Sequence, residues 1–139
     1  MNVAEVKLKL EGVKWINKEI ESLYLELETL ESGIIKSQQP STTRVQTSKV
    51  NSAENSLISV LKLKEDTLQR IERLTEERME ISRLIDKLAN AMERSVLRFY
   101  YLNCLDIWEV AEEIDKSKTT VYRIMQKAIE HLAGMVNAD

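Results

Sequence analysis

Residues 106–132 read DIWEVAEEIDKSKTTVYRIMQKAIEHL, and the spacing of apolar residues in this stretch decides the fold of the last third of the chain. Two apolar runs have intervals of three and four, which place each run on one face of an α-helix. The runs are Ile107, Val110, Ala111 and Ile114, followed by Val121, Ile124, Met125, Ala128 and Leu132. Residues 115–117 between them suffice only for a tight turn. Asp115 tolerates the left-handed backbone that ends a helix, and Ser117 is a preferred N-cap. The stretch therefore predicts a helix-turn-helix.

The second of these helices would present a polar and basic face to solvent. Arg can bind a guanine edge and Gln an adenine, Thr and Tyr can contact phosphate or a thymine methyl, and Lys supplies charge to the backbone. We therefore predict that this helix binds the major groove of double-stranded DNA. The candidate DNA-binding residues are Lys116, Ser117, Lys118, Thr119, Thr120, Tyr122, Arg123, Gln126 and Lys127. The alternative is an ordinary helical hairpin with a solvated face.

From Arg94 to Leu132 the chain resembles region four of bacterial primary sigma factors and the regulators built on that module. The matching positions are Arg94, Ile107, Glu109, Ala111, Ile114, Ser117, Lys118, Val121, Ile124, Lys127, Ala128, Ile129 and Leu132. Asp115 stands where the pattern usually has Gly. Thr119, Thr120 and Tyr122 stand where sigma factors often carry charge, so the promoter sequence of that family does not transfer to this chain. The resemblance implies a DNA-binding helix-turn-helix.

The overall layout, a coiled-coil front half followed by this module, is similar to that of small phage regulators of the ArpU and RinA type, which activate late phage genes. This resemblance implies a phage or prophage transcriptional activator. The first half of the chain contains no motif that matches residue by residue.

Composition predicts an all-α, cytoplasmic protein. Of the 139 residues only three are Gly and one is Pro, which favours helices. The single cysteine, Cys104, excludes an internal disulfide and suits a reducing compartment. No apolar run approaches the ~20 residues of a membrane span, and residues 1–10 have no signal-peptide core.

The charge of the chain fits DNA binding poorly. The net charge is −3, and residues 93–134 contain six Lys or Arg against seven Asp or Glu. Phosphate neutralisation supplies most sequence-independent affinity, so DNA-binding domains are usually basic. The acids, however, concentrate on the first helix and the turn of the helix-turn-helix, and the bases concentrate on its second helix. We expect weak binding by a monomer, raised by dimerisation or by a second contact such as RNA polymerase.

Residues 1–92 predict two long helices, 2–36 and 53–92, that form a coiled-coil oligomerisation region. Their apolar residues alternate in steps of three and four, with one irregularity between Val13 and Ile16. Lys64, Thr67 and Arg78 are polar members of the seam. Trp15 is expected to be a packing residue.

The two helices are expected to fold back as an antiparallel hairpin whose remaining apolar face joins a second subunit. The basis is that the apolar strips are wider than one seam. The residues outside the main register are Leu8, Trp15, Leu25, Ile35, Ile58, Leu61, Leu63, Leu68, Met79 and Leu84.

Residues 37–52, SQQPSTTRVQTSKVNS, predict a polar linker, with a short extended piece within 42–50. It is either a mobile connection or a basic arm in which Arg44 and Lys49 contact DNA or polymerase.

The module is predicted to span residues 93–134, followed by a tail at 135–139. Its first helix, 93–102, packs beneath the helix-turn-helix and could continue from the preceding long helix. Asp106 is a predicted N-cap, Cys104 a core or loop thiol, and His131 a surface residue. Trp108 is either a cover over the neighbouring helix, which we favour, or a hydrophobic contact for a protein partner.

We expect no enzymatic activity, cofactor or metal, because the chain contains no Gly-rich phosphate loop, no Cys or His cluster and only one His. Two alternatives to a DNA-binding regulator stay open. One is an interaction module that binds RNA polymerase without contacting DNA. The other is the DNA-recognition subunit of a phage terminase.

Overall fold

The computed structural model describes residues 1–38 and 47–138, with side chains described at 1–33 and 54–136. This part of the chain is helical and contains no strand, which confirms the all-α prediction. Neither long helix, as far as it is described, carries an apolar stretch sufficient to cross a membrane. The elements are α1 (Val3–Gln38), α2 (Thr47–Asp86), α3 (Ala91–Leu97), a π-helical segment (Arg98–Leu102), α4 (Ile107–Ile114) and α5 (Lys118–Ala138).

The predicted linker, 37–52, is wrong at both ends. Helix α1 continues through Gln38, and α2 begins at Thr47, inside the piece expected to be extended. The segment 47–52 contains no Gly or Pro, and each added helical residue gains a backbone hydrogen bond, so an apolar pattern is not needed there. Residues 39–46, including Pro40 and Arg44, lie outside the described residues.

The second long helix ends at Asp86 and not at 92 as predicted, and it does not continue into 93–102. A new helix, α3, starts because Oδ1 of Asn90 accepts hydrogen bonds from the backbone N–H of Met92 (2.8 Å) and Glu93 (3.1 Å). Near this break, Nη1 of Arg94 donates to the carbonyl of Leu88 at 2.6 Å. A side-chain cap thus competes with the heptad pattern and ends the long helix early.

One compact unit comprises Met1–Lys18 and Glu76–Asp139, so the grouping differs from the predicted boundary at residue 92. The reason is that one hydrophobic core collects the start of α1, the end of α2 and helices α3 to α5. Its largest fully buried side chains are Val6, Leu10, Val13, Ile85, Leu88, Val96, Leu97, Tyr101, Val110, Val121 and Leu132. The predicted tail is helical through Ala138, and Val136 packs against this core.

A polar contact fixes α1 to the end of the π-helical segment within this unit. Nδ2 of Asn17 donates to the carbonyl of Leu102 at 2.9 Å, and its Oδ1 accepts from Nε of Arg78 at 2.9 Å. Arg78, a polar position of the predicted seam, therefore helps to position the C-terminal helices.

The second unit, Glu19–Thr75, is formed by the remaining parts of α1 and α2. A small cluster of Leu23, Leu27 and Ile71 is buried between them. Ion pairs join Arg70 to Glu19 at 2.8 Å and Lys64 to Glu31 at 3.2 Å, so later residues of α1 meet earlier residues of α2. Of the other predicted seam residues here, Thr67 is buried and donates to the carbonyl of Leu63.

Trp15, which is expected to be a packing residue, is not packed within the described part of the chain: its side chain is 71% exposed, with the Lys18 ammonium 4.8 Å from the ring centroid. Leu84, expected outside the seam, is buried. Most of the other apolar residues outside the predicted seam are exposed: Leu8, Leu25, Ile58, Leu61, Leu63, Leu68 and Met79.

Candidate nucleic-acid interface

Helix α4 begins with a reciprocal cap, as predicted for Asp106. Oδ1 of Asp106 accepts from the Glu109 backbone N–H at 2.9 Å, and Oε1 of Glu109 accepts from the Asp106 N–H at 3.4 Å. This capping box satisfies N–H groups that have no partner inside the helix. It fixes where α4 starts.

The turn between α4 and α5 has the predicted geometry. Asp115 adopts a left-handed conformation (φ 55°, ψ 47°), and the following N–H, of Lys116, donates to the Ala111 carbonyl at 3.0 Å. Oγ of Ser117 accepts from the Thr120 N–H at 3.2 Å and so caps α5. The turn is therefore closed at both ends by local hydrogen bonds.

The inward faces of α4 and α5 carry the two predicted apolar stripes. Seven of the nine stripe residues are buried, and the other two, Ile114 and Ile124, are half-buried against the same core. This packing holds α4 and α5 against α3 and sets which side of α5 faces solvent.

All nine candidate DNA-binding residues lie on the turn and the first three turns of α5, and we call this surface the α5 face. Its exposed members are Lys116, Ser117, Thr119, Tyr122, Arg123, Gln126 and Lys127, and its half-buried members are Lys118 and Thr120. Lys116, Arg123 and Lys127 have no side-chain hydrogen bond or ion pair to any side chain described in 1–33 and 54–136. These three cations are thus available to an external anion.

Other members of the α5 face already have partners. The hydroxyls of Ser117 and Thr120 lie 2.9 Å apart at the helix start, so both stabilise the cap. Nε2 of Gln126 donates to Oε1 of Glu130 at 3.2 Å. Because that contact is exposed, it can exchange for an external acceptor at little cost.

Trp108 modifies the α5 face in a way that spacing did not reveal. The Lys118 ammonium lies 3.7 Å from the centroid of the Trp108 ring, a cation–π contact across the turn. Trp108 is 66% exposed and contacts the neighbouring helix α5 at Lys118, the first residue of that helix. Nothing in the helical periodicity links these two residues.

Helix α1 also reaches the α5 face, which sequence reasoning missed. A cavity of about 170 Å³ is lined by Lys7, Glu11, Tyr100, Tyr101, Tyr122, Met125, Gln126 and Ile129. Further along α1, the Lys14 ammonium lies 3.3 Å from the centroid of the Tyr100 ring. Burial raises the pKa of the Tyr101 phenol above its ordinary value, and the nearby Glu11 and Tyr100 add to the rise. No signal in the sequence brings residues so far apart together.

A second cavity lies away from the α5 face, beside the break between α2 and α3. It measures about 590 Å³ and is lined by Leu88, Ala89, Asn90, Glu93, Glu130, His131, Gly134 and Met135. Nδ1 of His131 lies 2.9 Å from Oε1 of the buried Glu93, while the imidazole itself is largely exposed, as predicted.

Cys104 is an exposed loop residue. Among the described residues, no three His, Cys, Asp or Glu side chains are grouped as metal ligands would be.

Comparison with known proteins identifies a family and nothing more specific. No curated protein matches the chain, and no solved structure matches it. One family model matches residues 34–133, which are 100 of the 139 residues and include the whole α5 face. The chain therefore belongs to the DUF1492 family, which is described as a protein of unknown function.

Proposed function

We propose that this chain is a sequence-specific DNA-binding transcriptional regulator whose residues 106–132 form a helix-turn-helix. The observation that carries the proposal is the α5 face, where Lys116, Arg123 and Lys127, which have no partner among the described side chains, lie beside the exposed Tyr122 and Gln126. Positive charge combined with groups that can bond base edges is what major-groove binding requires.

The width of α5 and the burial of its inward side suit insertion of its exposed side into the major groove. An α-helix with its side chains is about 10–12 Å across, and the major groove is about 12 Å wide. Val121, Met125 and Ala128 are buried, so the opposite side of the first turns of α5 is the side that a duplex would meet. In helix-turn-helix proteins the N-terminal residues of the second helix contact the bases, and Lys118 to Lys127 occupy those positions here.

The members of the α5 face take different roles in this proposal. Arg123 is the residue for bidentate bonding to guanine, and Gln126 becomes available for adenine when it leaves Glu130. Lys116 and Lys127 neutralise phosphates. Lys118, held over Trp108, contributes charge from a fixed position.

The role in transcription rests on resemblance. The likeness of residues 94–132 to sigma region four, and of the layout to phage late activators, makes activation of phage or prophage genes the specific form of the proposal. RNA polymerase would then be the second partner.

Association between subunits would supply the affinity that a near-neutral module lacks. The unit Glu19–Thr75, which we interpret as a helical hairpin, leaves large apolar side chains exposed on both of its helices. They are Tyr24, Leu25, Ile58, Leu61, Leu63 and Leu68. Covering these side chains with a second copy would place two α5 faces in one particle, and two linked sites bind far more tightly than one.

Selection of bound duplexes from a random DNA pool at moderate salt, followed by sequencing, tests the proposal directly. Enrichment of one motif is the expected result, and inverted half-sites about one helical turn apart would indicate a two-fold dimer. If no motif is enriched and the protein does not bind the pool, the proposal fails.

The exposed Trp108 favours one alternative, a module that binds RNA polymerase without contacting DNA. This ring lies on α4, which also carries the exposed acids Glu112 and Glu113, and these carboxylates would repel phosphate but not every protein surface. Salt separates the two functions, because DNA binding releases counterions and weakens steeply with salt, whereas a largely apolar protein contact does not.

A further inference from the structure

Lys7 is an exposed cation that α1 holds beside the α5 face. Its neighbours Val6 and Leu10 are fully buried in the core, so the backbone of this turn of α1 is fixed in place. Lys7 lines the same cavity as Tyr122 and Gln126. Among the side chains described in 1–33 and 54–136, its ammonium has no hydrogen-bond or ion-pair partner.

We propose that Lys7 extends the DNA-binding surface onto α1, where it binds a backbone phosphate at the edge of the groove that α5 enters. This inference rests on the proposed function. It adds a contact from a helix that lies outside residues 106–132 and outside the part of the chain that resembles sigma factors.

The geometry favours a phosphate over a base as the group that Lys7 binds. A helix nearly as wide as the major groove leaves no room for a second helix within it. A residue beside the reading side chains, but on another helix, therefore meets the groove wall, which is the sugar-phosphate backbone. Lys has a compact ammonium on a flexible stem, which suits a point contact with a phosphate oxygen.

The charges around Lys7 modulate this contact and provide a second test. Glu11 is one turn further along α1 and lines the same cavity, so its carboxylate would repel the phosphate that Lys7 binds. Removing that charge should therefore strengthen DNA binding. Lys14, the next cation along this side, is already placed over Tyr100 and would contribute less.

Lys9 is a matched control on the same helix. It is exposed like Lys7, but it lies on another side of α1, lining a different cavity with Glu77 and Glu80. These carboxylates would keep a phosphate away. Lys7→Gln and Lys9→Gln thus each remove one positive charge from α1. The two positions are two residues apart, but Lys7 lies beside the α5 face and Lys9 lies beside carboxylates.

The experiment measures binding of the full chain to a fluorescein-labelled 30-bp duplex of random sequence, by anisotropy, across a series of salt concentrations. Lys7→Gln should weaken binding several-fold at low salt. It should also make the negative slope of log K against log salt less steep by about 0.9, the value for one phosphate contact. Lys9→Gln should stay within twofold of the wild type with an unchanged slope. Glu11→Gln should bind more tightly, and Lys7→Arg should restore the slope.

The outcomes separate this inference from the proposed function. If the wild-type chain does not bind the duplex at any salt concentration, the proposed function fails and Lys7 has no role in it. If the wild-type chain binds and Lys7→Gln and Lys9→Gln lose affinity equally, or neither changes the slope, the placement of Lys7 is wrong while DNA binding stands. Far-ultraviolet circular dichroism of each variant confirms that the helices are intact.

Discussion

At the scale of single residues, the contacts that each cation makes within the chain decide whether it is available to bind an anion on another molecule. Arg123 and Lys127 are exposed and unpaired among the described side chains, whereas Lys118 is committed to Trp108. The sequence does not reveal this difference in partners, because periodicity reports which side of a helix a residue occupies and not what it touches.

Substitution of Arg123 and Lys127 should separate specificity from general affinity. Arg123→Ala is expected to cost about 1–3 kcal/mol on the preferred duplex and to relax discrimination at one base pair. Lys127→Ala should weaken all sequences alike and lower the salt slope by about one. Binding to the selected duplex and to its single-base variants measures both effects. Equal losses on every sequence for both variants would contradict these roles.

Tyr101 should make the protein sensitive to alkaline pH. Burial raises the pKa of this phenol above the ordinary value of about 10, so the folded protein keeps a proton that the unfolded chain releases. The free energy of unfolding is therefore undiminished below about pH 10 and falls as the pH rises above it. Tyr101→Phe should make that fall shallower.

Urea unfolding between pH 8 and pH 11 measures this effect. Tyr24→Phe removes an exposed hydroxyl from the other compact unit and serves as the control. An alkaline loss of stability that is as steep in Tyr101→Phe as in the wild type would show that another group is responsible.

At the scale of helices, caps decide where each element begins and ends. The caps Asp106 and Ser117 were predictable because each comes directly before a new apolar run. Asn90 was not, because Leu88 and Met92 continue the heptad seam across it and mask the break. Helix propensity also affects the stability of α5, because this helix contains a glycine, Gly134.

Gly134→Ala should stabilise α5. A Cβ added at this position meets no atom within 4 Å, and Gly inside a helix costs about 0.5–1 kcal/mol relative to Ala. The variant should therefore raise the free energy of unfolding by about that amount in urea titrations. DNA binding should not change, because Gly134 lies about two turns beyond Lys127. A less stable variant would mean that the position needs Gly for a reason other than space.

At the scale of the whole molecule, the exposed apolar side chains of the unit Glu19–Thr75 predict self-association. Light scattering at micromolar concentrations should give a mass above the 16.1 kDa of one chain. Leu25→Gln with Ile58→Gln should lower that mass, because both side chains are more than half exposed and apolar. Met92→Gln, which removes an exposed apolar side chain outside this unit, should not.

The mass also discriminates between functions. A strictly monomeric mass at every concentration would refute association through these helices. Rings of eight or more subunits would favour the terminase alternative over a regulator.

Helices α4 and α5, their turn and two of their caps could be predicted from the sequence alone. The reason is that helical periodicity and capping act between residues three or four apart, so residues 106–132 contain all the information they need. The prediction at 47–52 is wrong for a related reason. The polar composition of these residues suggested a linker, but they contain no Gly or Pro that would break a helix.

Only the tertiary structure decided which distant residues meet at the candidate site. Lys7 lies beside Tyr122, and Asn17 bonds the Leu102 carbonyl, because burial of Val6, Leu10 and Val13 draws the start of α1 into the core of the C-terminal helices. Such contacts depend on how whole faces pack, which no local spacing records. The sequence by itself determined helices α4 and α5 and the side of α5 that faces solvent, whereas long-range packing determined what surrounds that side.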